Sequence, residues 1–331
     1  LDKNGNGTTY AYDGNGNVTL KTDARGQQTT ITYDANNNPL SRTDAAGGVT
    51  QFGYSVPGDL IQTTDALGNI TVISYFPNGL PEVITDPRGN LTTHAYDAEG
   101  NLTTVTDALG NVTTHTYDAV GRRTSTTDAR GNTTSFAYDS NDNLLTVTDA
   151  ALNAVTHTYD GNDNRTSTTD KRGGLTQFVY DVKDLVTSVT DPLGNVTTNT
   201  YDLLNRRTGI TDKRGNTTTY GYDAVGRLLQ VTDALANASQ TSWDANGNRV
   251  SSTDPLGQTS LATYDELNRR ITQTDPLGNT TTTAYDALGR MVSVTNANSQ
   301  VTAFVYDLLG RLIEVHDANG GIVRYAYDEN G

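Results

Sequence analysis

A 21-residue period runs through the whole chain and restricts the possible folds more than any other feature of the sequence. One aromatic residue marks each repeat, and in fourteen of the sixteen repeats an Asp follows it. This aromatic column consists of Tyr12, Tyr33, Tyr54, Tyr75, Tyr96, Tyr117, Tyr138, Tyr159, Tyr180, Tyr201, Tyr222, Trp243, Tyr264, Tyr285, Tyr306 and Tyr327. A short period without insertions is typical of an array in which each repeat packs only against its neighbours.

Each repeat contains two turn signals, about ten residues apart. The first, here named the Tyr-Asp turn, begins at the residue after the column aromatic and has Gly, Asn or Asp three residues later in every repeat. These residue types tolerate a positive φ best. The second, here named the Thr-Asp turn, reads Thr-Asp-x-x-Gly-Asn, as in Thr106 to Asn111. An Asp followed three residues later by Gly favours a type I turn.

The six or seven residues between turns are rich in Thr, Val, Ile and Tyr, which is typical of β-strands. Each repeat is therefore predicted to be a β-hairpin, and the turns leave no room for a helix. Only 34% of the residues are hydrophobic, too few for a thick core, so we expect a thin sheet with two partly wet faces. Aromatic residues lie on one face and residues such as Ala137 and Val112 on the other.

A parallel β-solenoid would stack the Asp columns at about 4.8 Å, whereas an antiparallel meander separates them by about 9.6 Å. At an effective dielectric of 20, neighbouring carboxylates repel by ~3.5 kcal/mol at the shorter distance and ~1.7 kcal/mol at the longer. The Asp columns therefore favour the meander.

An eight-bladed β-propeller is the alternative architecture. A 42-residue alternation of Arg123, Arg165, Arg207 and Arg249 with aliphatic residues is compatible with four strands per blade. However, every connection has the same length and chemistry, whereas blades need longer crossings. The alternation also keeps like charges about 20 Å apart in a meander, which is a simpler explanation.

About 31 strands would extend roughly 150 Å across the strand direction, and open sheets of that width curl. One circuit of this length would enclose a space about 50 Å across. For residues 1–331 we predict a single repeat array: an all-β, continuous antiparallel sheet of repeated hairpins coiled into a spiral shell. Because the chain begins and ends within turns and has no caps for its edge strands, we expect it to be an excerpt of a longer shell.

The segments from Tyr222 to Leu228 and from Tyr306 to Leu312 resemble the YD repeat of Rhs-family proteins, and the resemblance covers the whole chain. The family includes bacterial polymorphic toxins, wall-associated proteins, the C component of insecticidal toxin complexes, and animal teneurins. The resemblance implies a spiralling β-shell that, in the bacterial toxins, surrounds a C-terminal toxic domain until delivery. Asn replaces the Arg of the motif at Asn101, Asn143, Asn164 and Asn248.

The resemblance implies a non-enzymatic wall, secreted or on the bacterial cell surface. Its partners would be the remainder of its own chain: further repeats, a closing region and a C-terminal toxin or effector cargo. The structural motif residues are Tyr117, Asp118, Gly121, Arg122, Asp128, Gly131, Tyr222, Asp223, Gly226, Arg227, Tyr285, Asp286, Gly289, Arg290, Tyr306, Asp307, Gly310 and Arg311. The alternative function is a surface module that binds carbohydrate or a partner through its aromatic rows, with Trp243 as a candidate for stacking on a sugar.

Composition excludes several other functions. The net charge of −15 argues against nucleic acid as a partner, and no apolar run is long enough to span a membrane. Without Cys there is neither a disulfide nor a thiolate zinc site. Asp2, Asn4, Asn6, Gly7 and Asp13 match a calcium-loop template, but the template ends in Asp rather than a bidentate Glu and lacks flanking helices. We interpret it as a turn and expect no metal and no cofactor.

No catalytic constellation is predicted, because the Asp residues are near copies of one another and acid–base catalysis needs carboxylates in different environments. The His residues at 94, 115 and 157 share one column, in which the nearest two lie about 10 Å apart, too far for joint metal coordination; they are interpreted as substitutes for aromatic residues. His316 has no suggestive partner. Three "DPLG" segments, at Asp191, Asp254 and Asp275, are interpreted as ordinary turns rather than as a self-cleaving protease element.

Overall fold

The structure, a computed structural model, describes residues 7–328. In this range it contains 31 β-strands and no α-helix, and all of the strands belong to one sheet. The chain divides into two compact units: unit 1 comprises Leu1–Leu91 and Thr241–Gly331, and unit 2 comprises Thr92–Gln240.

Unit 1 contains two series of strands. They are β1 (Thr9–Tyr12), β2 (Val18–Thr22), β3 (Gln28–Tyr33), β4 (Pro39–Thr43), β5 (Val49–Tyr54), β6 (Leu60–Thr64), β7 (Ile70–Tyr75) and β8 (Pro81–Thr85), followed after unit 2 by β24 (Arg249–Thr253), β25 (Thr259–Tyr264), β26 (Arg270–Thr274), β27 (Thr280–Tyr285), β28 (Met291–Thr295), β29 (Val301–Tyr306), β30 (Leu312–His316) and β31 (Ile322–Arg324). Within each series every strand pairs antiparallel with the next one in the sequence.

Unit 2 contains one series, whose first and last strands extend across its limits. The strands are β9 (Leu91–Tyr96), β10 (Leu102–Thr106), β11 (Val112–Tyr117), β12 (Arg123–Thr127), β13 (Thr133–Tyr138), β14 (Leu144–Thr148), β15 (Ala154–Tyr159), β16 (Arg165–Thr169), β17 (Leu175–Tyr180), β18 (Val186–Thr190), β19 (Val196–Tyr201), β20 (Arg207–Thr211), β21 (Thr217–Tyr222), β22 (Leu228–Thr232) and β23 (Ala238–Trp243). They too pair antiparallel in sequence order.

A β-bulge accompanies the Tyr-Asp turns. In the hairpin of β13 and β14, Ala137 pairs with Thr146 but Tyr138 pairs with Leu144, so Leu145 is the extra residue of the second strand. A bulge of this kind bends the strand and increases its local twist. It also places the column aromatic opposite the first residue of the next strand, which decides what the aromatic ring can contact.

The strands expose one face more than the other. In β13, Phe136 and Tyr138 are half-buried, whereas Ser135 and Ala137 between them are exposed. Among the described residues no hydrophobic side chain is fully buried. The sheet is therefore a single layer without a conventional core. Because there is no core to fill, the sequence needs few large aliphatic residues.

The predicted all-β antiparallel sheet of hairpins is confirmed. The alternative of an eight-bladed propeller is wrong, because the strands of a propeller fall into separate four-stranded sheets and here they belong to one. Within residues 7–328 no helix is long and apolar enough to cross a bilayer.

Candidate functional site: the Tyr-Asp turns and their links between repeats

Where a Tyr-Asp turn begins with Asp, as it does everywhere except at Ser55 and Phe76, this Asp closes the turn through both its backbone and its side chain. The N–H of Gly121 donates to the carbonyl of Asp118 (3.0 Å), and the N–H of Asp118 donates to the carbonyl of Arg122 (3.0 Å). The Oδ1 atom of Asp118 accepts the N–H groups of Val120 (3.1 Å) and Arg122 (3.0 Å). Gly121 has a φ of 83°, as the column of Gly, Asn and Asp predicts. The Asp column is therefore explained by turn formation.

The second carboxylate oxygen of the turn Asp accepts a hydrogen bond from the side chain of the residue four positions later. Nε of Arg122 donates to Oδ2 of Asp118 (2.7 Å), and the Arg122 side chain together with the backbone N–H donors holds the pKa of Asp118 below its ordinary value. In the Thr-Asp turn of Asp107, the side chain and the backbone N–H of Asn111 lower the pKa of the carboxyl in the same way. These carboxylates stay charged at neutral pH.

The motif Arg also binds the following repeat. Nη1 of Arg122 donates to the carbonyl of Asp139 (2.7 Å), and its guanidinium carbon lies 5.0 Å from the ring centre of Tyr138. Equivalent stacks at 4.6–5.0 Å join Arg206 to Tyr222, Arg269 to Tyr285, Arg290 to Tyr306 and Arg311 to Tyr327. Such a cation–π contact is worth about 0.5–2 kcal/mol. The Arg thus ties two successive turns together.

The column Tyr links in the opposite direction, toward the preceding repeat. Its hydroxyl donates to the carbonyl of the residue fifteen positions earlier, at the start of the second strand of that repeat, over 2.8–3.1 Å. This bond joins Tyr33, Tyr75, Tyr117, Tyr138, Tyr159, Tyr180, Tyr201, Tyr222, Tyr264, Tyr285, Tyr306 and Tyr327 to Val18, Leu60, Leu102, Arg123, Leu144, Arg165, Val186, Arg207, Arg249, Arg270, Met291 and Leu312, in that order. A Phe in the column could not make this link.

Asn in place of the motif Arg keeps a connection between repeats. Nδ2 of Asn143 donates both to Asp139 of its own turn (3.1 Å) and to Oδ1 of Asp163 in the next repeat (2.7 Å). Each Asn or Asp at the positive-φ position accepts such a bond from the preceding repeat. The acceptors are Asn37, Asp142, Asp163, Asp184, Asn205 and Asn268, and their donors are Asn17, Arg122, Asn143, Asn164, Lys183 and Asn248.

Sequence reasoning missed this pairing between repeats. The signal was present, because Asn at the fourth position after the turn Asp is followed in the next repeat by Asn or Asp at the third position in several places, as at Asn164 and Asp184. Asn101 lacks the acceptor, since Gly121 stands there; its Nδ2 donates only to Asp97 within its own turn (3.0 Å).

The motif residues fall into two groups. The Tyr, Asp, Gly and Arg of each predicted set, as at Tyr117 to Arg122, come together in one Tyr-Asp turn. Asp128 and Gly131 belong to the Thr-Asp turn at the other end of the strands, where Asp128 accepts the Nδ2 group of Asn132 (2.9 Å). Trp243 closes β23 in the aromatic column and is half-buried.

The 42-residue Arg alternation has a structural counterpart. Arg123, Arg165 and Arg207 stack on the aromatic residues thirteen positions later, Phe136, Phe178 and Tyr220, at 5.2–5.3 Å. These aromatic residues alternate along the chain with His115, His157 and Asn199 in the same column. Arg and aromatic residues therefore form matched pairs across adjacent strands.

His115 and His157 lie on the aromatic face of the sheet, whereas His316 pairs with Ala303 and lies on the other face. Nδ1 of His115 lies 3.0 Å from Oγ1 of Thr126, and Nδ1 of His157 lies 3.0 Å from Oγ1 of Thr168. Burial, followed by the charge of Arg123, lowers the pKa of His115, and burial followed by Arg165 lowers that of His157. His316 lies 2.7 Å from Glu314.

Within residues 7–328 no three His, Asp or Glu side chains are grouped so as to hold a metal ion. Of the calcium template, Asp2, Asn4 and Asn6 lie outside the described residues. Oδ1 of Asp13 accepts the backbone N–H groups of Asn15 and Asn17 (2.9 Å each), and Oδ2 accepts the side-chain Nδ2 group of Asn17 (2.9 Å). The same bonds occur in other Tyr-Asp turns, such as that of Asp34. The "DPLG" turn at Asp191 likewise has ordinary Thr-Asp bonding, with Oδ1 accepting the N–H of Leu193 (2.9 Å).

This geometry defines a class of protein: a structural β-hairpin array in which neighbouring repeats are connected through the Tyr, Asp, Arg and Asn residues of their turns. Comparison with known sequences agrees. The RHS Repeat profile matches residues 33–70, 77–112, 96–133, 117–152 and 138–175, and the Teneurin YD-shell profile matches residues 191–331. Comparison with curated proteins gives no match.

Solved structures share the fold. The crystal structure of TcdB2-TccC3 gives a TM-score of 0.59 at 17% identity and covers 93% of this chain. The structure of the Photorhabdus luminescens Tc holotoxin pore gives 0.57 at 15% identity over 93%, and that of TcdB2-TccC3-Cdc42 gives 0.53 at 13% over 96%. The chain spans 20%, 22% and 25% of those chains, respectively. The chain belongs to the Rhs/YD-repeat family.

Proposed function

We propose that this chain is a non-enzymatic part of the wall of an Rhs-type shell, which encloses a C-terminal toxin or effector segment of its own polypeptide until delivery. The protein would be secreted or displayed on the bacterial cell surface. The observation that carries the proposal is a single-layer sheet whose repeats are joined side by side through Arg–Tyr stacks and Tyr hydroxyl bonds. Its fold is that of chains from Tc toxin structures.

The links between repeats suit a wall. Each one crosses from one hairpin to the next, so the sheet resists separation of its strands even without a core. The Tyr hydroxyl bonds recur along the array from Tyr33 to Tyr327, and the Asp residues at successive turns make near copies of the same hydrogen bonds. Such repetition is expected of a barrier and not of a site that recognises one small substrate.

Limited proteolysis of the full-length protein that contains these repeats tests the proposal. The segment downstream of the repeats should be resistant to thermolysin at a protease dose that digests the same segment expressed alone. A variant with Arg206→Ala, Arg269→Ala and Arg290→Ala loosens three links between repeats and should expose the segment.

A matched control replaces Arg172, Arg214 and Arg130 of the Thr-Asp turns with Ala, which removes the same charge without touching the Tyr stacks. The proposal fails if the segment is digested equally fast with and without the repeats, or if the full-length protein carries no segment for the repeats to enclose.

A surface module for carbohydrate is less favoured by the geometry. The column Tyr rings of five repeats already have a guanidinium over one face, and their hydroxyls are bonded within the sheet. A glycan array with Trp243→Ala as the control examines the alternative directly. A glycan signal that disappears in the variant would support carbohydrate binding.

A further inference from the structure

One joint between repeats of unit 2 differs from the others. A joint is defined here as the contact between one Tyr-Asp turn and the next, and unit 2 contains six of them. Five joints have a hydrogen bond from a side chain of the first turn to the second turn; the donors are Arg122, Asn143, Asn164, Lys183 and Arg206. At the sixth joint, between the turns of Asp97 and Asp118, the described residues form no such bond.

The sequence explains why this joint lacks the bond. Asn101 replaces the motif Arg, and Gly121 stands where the next turn would need an Asn or Asp as acceptor. Two residues after the turn Asp, the joints with an Asn donor have a second Asn; Asn141 and Asn162 donate from this position to the next turn (3.0 and 3.1 Å). Glu99 occupies the position here, and an ionised carboxylate has no proton to donate.

A cleft of about 630 Å³, here named the Glu99 cleft, lies at this joint. It is lined by Asp97, Glu99, Asn101, Tyr117, Asp118, Ala119, Val120 and Gly121. Glu99 is exposed and has no hydrogen-bond or ion-pair partner among the described residues. Oδ1 of Asn101 points toward Gly121, because a Cβ built on this Gly would lie 3.6 Å from that atom. The cleft therefore offers carboxylate and amide acceptors and contains no positively charged side chain.

Elsewhere in the chain, five joints hold a guanidinium at the equivalent place. In each of them the motif Arg stacks on the next column Tyr, and its Nη1 atom donates to the carbonyl of the Asp that follows this Tyr. Arg206, for example, lies 5.0 Å from the ring centre of Tyr222 and donates to Asp223 (3.0 Å). Tyr117 and Asp118 are the counterparts of Tyr222 and Asp223 at the Glu99 cleft.

We propose that the Glu99 cleft binds the guanidinium group of an arginine side chain from a peptide segment. The guanidinium would stack on Tyr117 and donate to the carbonyl of Asp118, as the motif Arg does at the other joints. Glu99 would accept its remaining donors, because Oδ2 of Asp97, which would accept Nε of a motif Arg, already accepts the Asn101 side chain (3.0 Å). A Lys ammonium lacks the planar face and the fork of donors, so the cleft should prefer arginine.

The surroundings of the cleft suit an arginine within a peptide. Ala119 is exposed and Val120 is 72% exposed at its side, where the methylene groups of an arginine side chain can pack. The net charge of −15 attracts a cationic segment. The inference does not depend on a cargo, since unit 2 alone forms the cleft, so the cleft and the proposed wall can each fail without the other.

Titration of the 331-residue protein with acetyl-Gly-Arg-Gly-amide, followed by NMR of the arginine side chain, tests the proposal. We expect a Kd on the order of 1 mM, because the guanidinium gains one stack and a few charge-assisted hydrogen bonds. The same peptide with Lys should bind at least about fivefold more weakly. The peptide with citrulline, which has the shape of arginine without its charge, should lose binding by about tenfold or more.

Two variants and a matched control assign the binding to the cleft. Glu99→Gln removes the unpaired carboxylate and should weaken binding of the Arg peptide about fivefold. Asn101→Arg restores the motif, so the guanidinium of the chain itself should fill the cleft, abolish peptide binding and raise the melting temperature. Glu266→Gln is the control, because it removes an exposed carboxylate from a Tyr-Asp turn whose joint already contains Arg269. It should bind the peptide like the wild type, and circular dichroism checks that every variant is folded.

A wild-type protein that shows no binding at about 10 mM peptide would overturn the proposal, as would equal binding of the Arg and Lys peptides. A folded Asn101→Arg variant that binds the peptide as tightly as the wild type would do so too. Equal weakening by Glu99→Gln and Glu266→Gln would show attraction to the overall negative charge of the protein instead of binding in the cleft.

Discussion

The guanidinium of Arg290 lies 4.9 Å from the ring centre of Tyr306 in the following repeat, while its Nε atom donates to Asp286 of its own turn (2.7 Å). Its Nη1 atom reaches the carbonyl of Asp307 (3.1 Å). One side chain therefore fixes the spacing of two successive turns, and its removal provides a direct measure of the coupling between repeats.

Arg290→Ala should lower the free energy of unfolding by about 2 kcal/mol, because it removes the stack and the charge-assisted hydrogen bonds. Arg290→Lys should recover part of this loss, since Lys keeps the charge but not the planar donor group. Urea denaturation followed by circular dichroism measures both. Arg42→Ala, at an exposed strand position, is the control and should change stability by less than about 0.5 kcal/mol. Equal losses in Arg42→Ala and Arg290→Ala would contradict the stacking role.

Tyr306→Phe should destabilise the protein by about 1 kcal/mol, because the carbonyl of Met291 loses the hydroxyl that donates to it over 2.8 Å. The ring remains available for Arg290, so the loss should be smaller than that of Arg290→Ala. The same denaturation measurement applies, with Tyr10→Phe on exposed β1 as the control. An unchanged midpoint in Tyr306→Phe would show that water replaces the hydroxyl without cost.

Leu152→Gly should stabilise the protein by about 1 kcal/mol. Leu152 occupies the positive-φ position of its Thr-Asp turn, with a φ of 65°, and its side chain is almost fully exposed. Gly adopts this conformation without the steric cost that an L side chain carries. The reciprocal change, Gly131→Ala, places an L residue at a φ of 82° and should destabilise the protein by a similar amount. Because a Cβ at this position meets no atom within 4 Å, the loss should come from the backbone conformation alone and not from a steric clash with a neighbour. Thermal unfolding of the two variants should shift in opposite directions.

Stability should fall between pH 4 and pH 2. Turn carboxylates such as Asp107 and Asp118 have lowered pKa values; that of Asp149 falls to about 2, chiefly because Lys171 donates to it and then because the backbone N–H of Asn153 does. Such a group stabilises the fold fully above the unfolded-state pKa of about 3.9 and loses this contribution as pH falls through the folded-state value. Thermal unfolding recorded from pH 7 to pH 2 measures the effect.

Asp149→Asn provides the matched comparison for the acid range. Asn296 occupies the same column and its Oδ1 accepts the N–H groups of Asn298 and Gln300 (3.0 Å each), so an amide can keep the turn without titrating. The variant should lose less stability on acidification than the wild type. A protein that becomes more stable below pH 4 would refute this account.

A second pH dependence should come from the His residues. The pKa values of His115 and His157 are lowered, so the fold favours their neutral forms; this contribution is complete above the unfolded-state pKa of about 6.5 and is lost as pH falls below it. The double variant His115→Asn and His157→Asn, which introduces the residue found at Asn199 of the same column, should lose less stability between pH 7 and pH 5. If the stability of the double variant and that of the wild type changed with pH by the same amount over this range, the result would count against a role of these His residues.

The local part of this fold could be predicted from single residues. An Asp three residues before a Gly sets the turn at Asp118 because the hydrogen bonds involved lie within five residues. The antiparallel direction of the strands could also be predicted from the sequence, because carboxylates such as Asp107 and Asp128 repel each other less when two strands separate them. The candidate site was predicted as a set of motif positions, but the partner of Arg122 in the next repeat was not, because a periodic sequence does not show which neighbour a long side chain reaches.

The amino-acid sequence by itself determined the period, the two turns and the strand composition, because backbone conformational preferences and side-chain hydrogen bonds act over a few residues. Only the tertiary structure decided that Tyr138 faces Leu144 across a bulge, and that Arg25 meets Asp265. The physical reason is that the second contact depends on small rotations between adjacent strands, summed over many repeats. Each rotation is a collective property of twist and bulge geometry, so no single residue encodes where the two kinds of turn will meet.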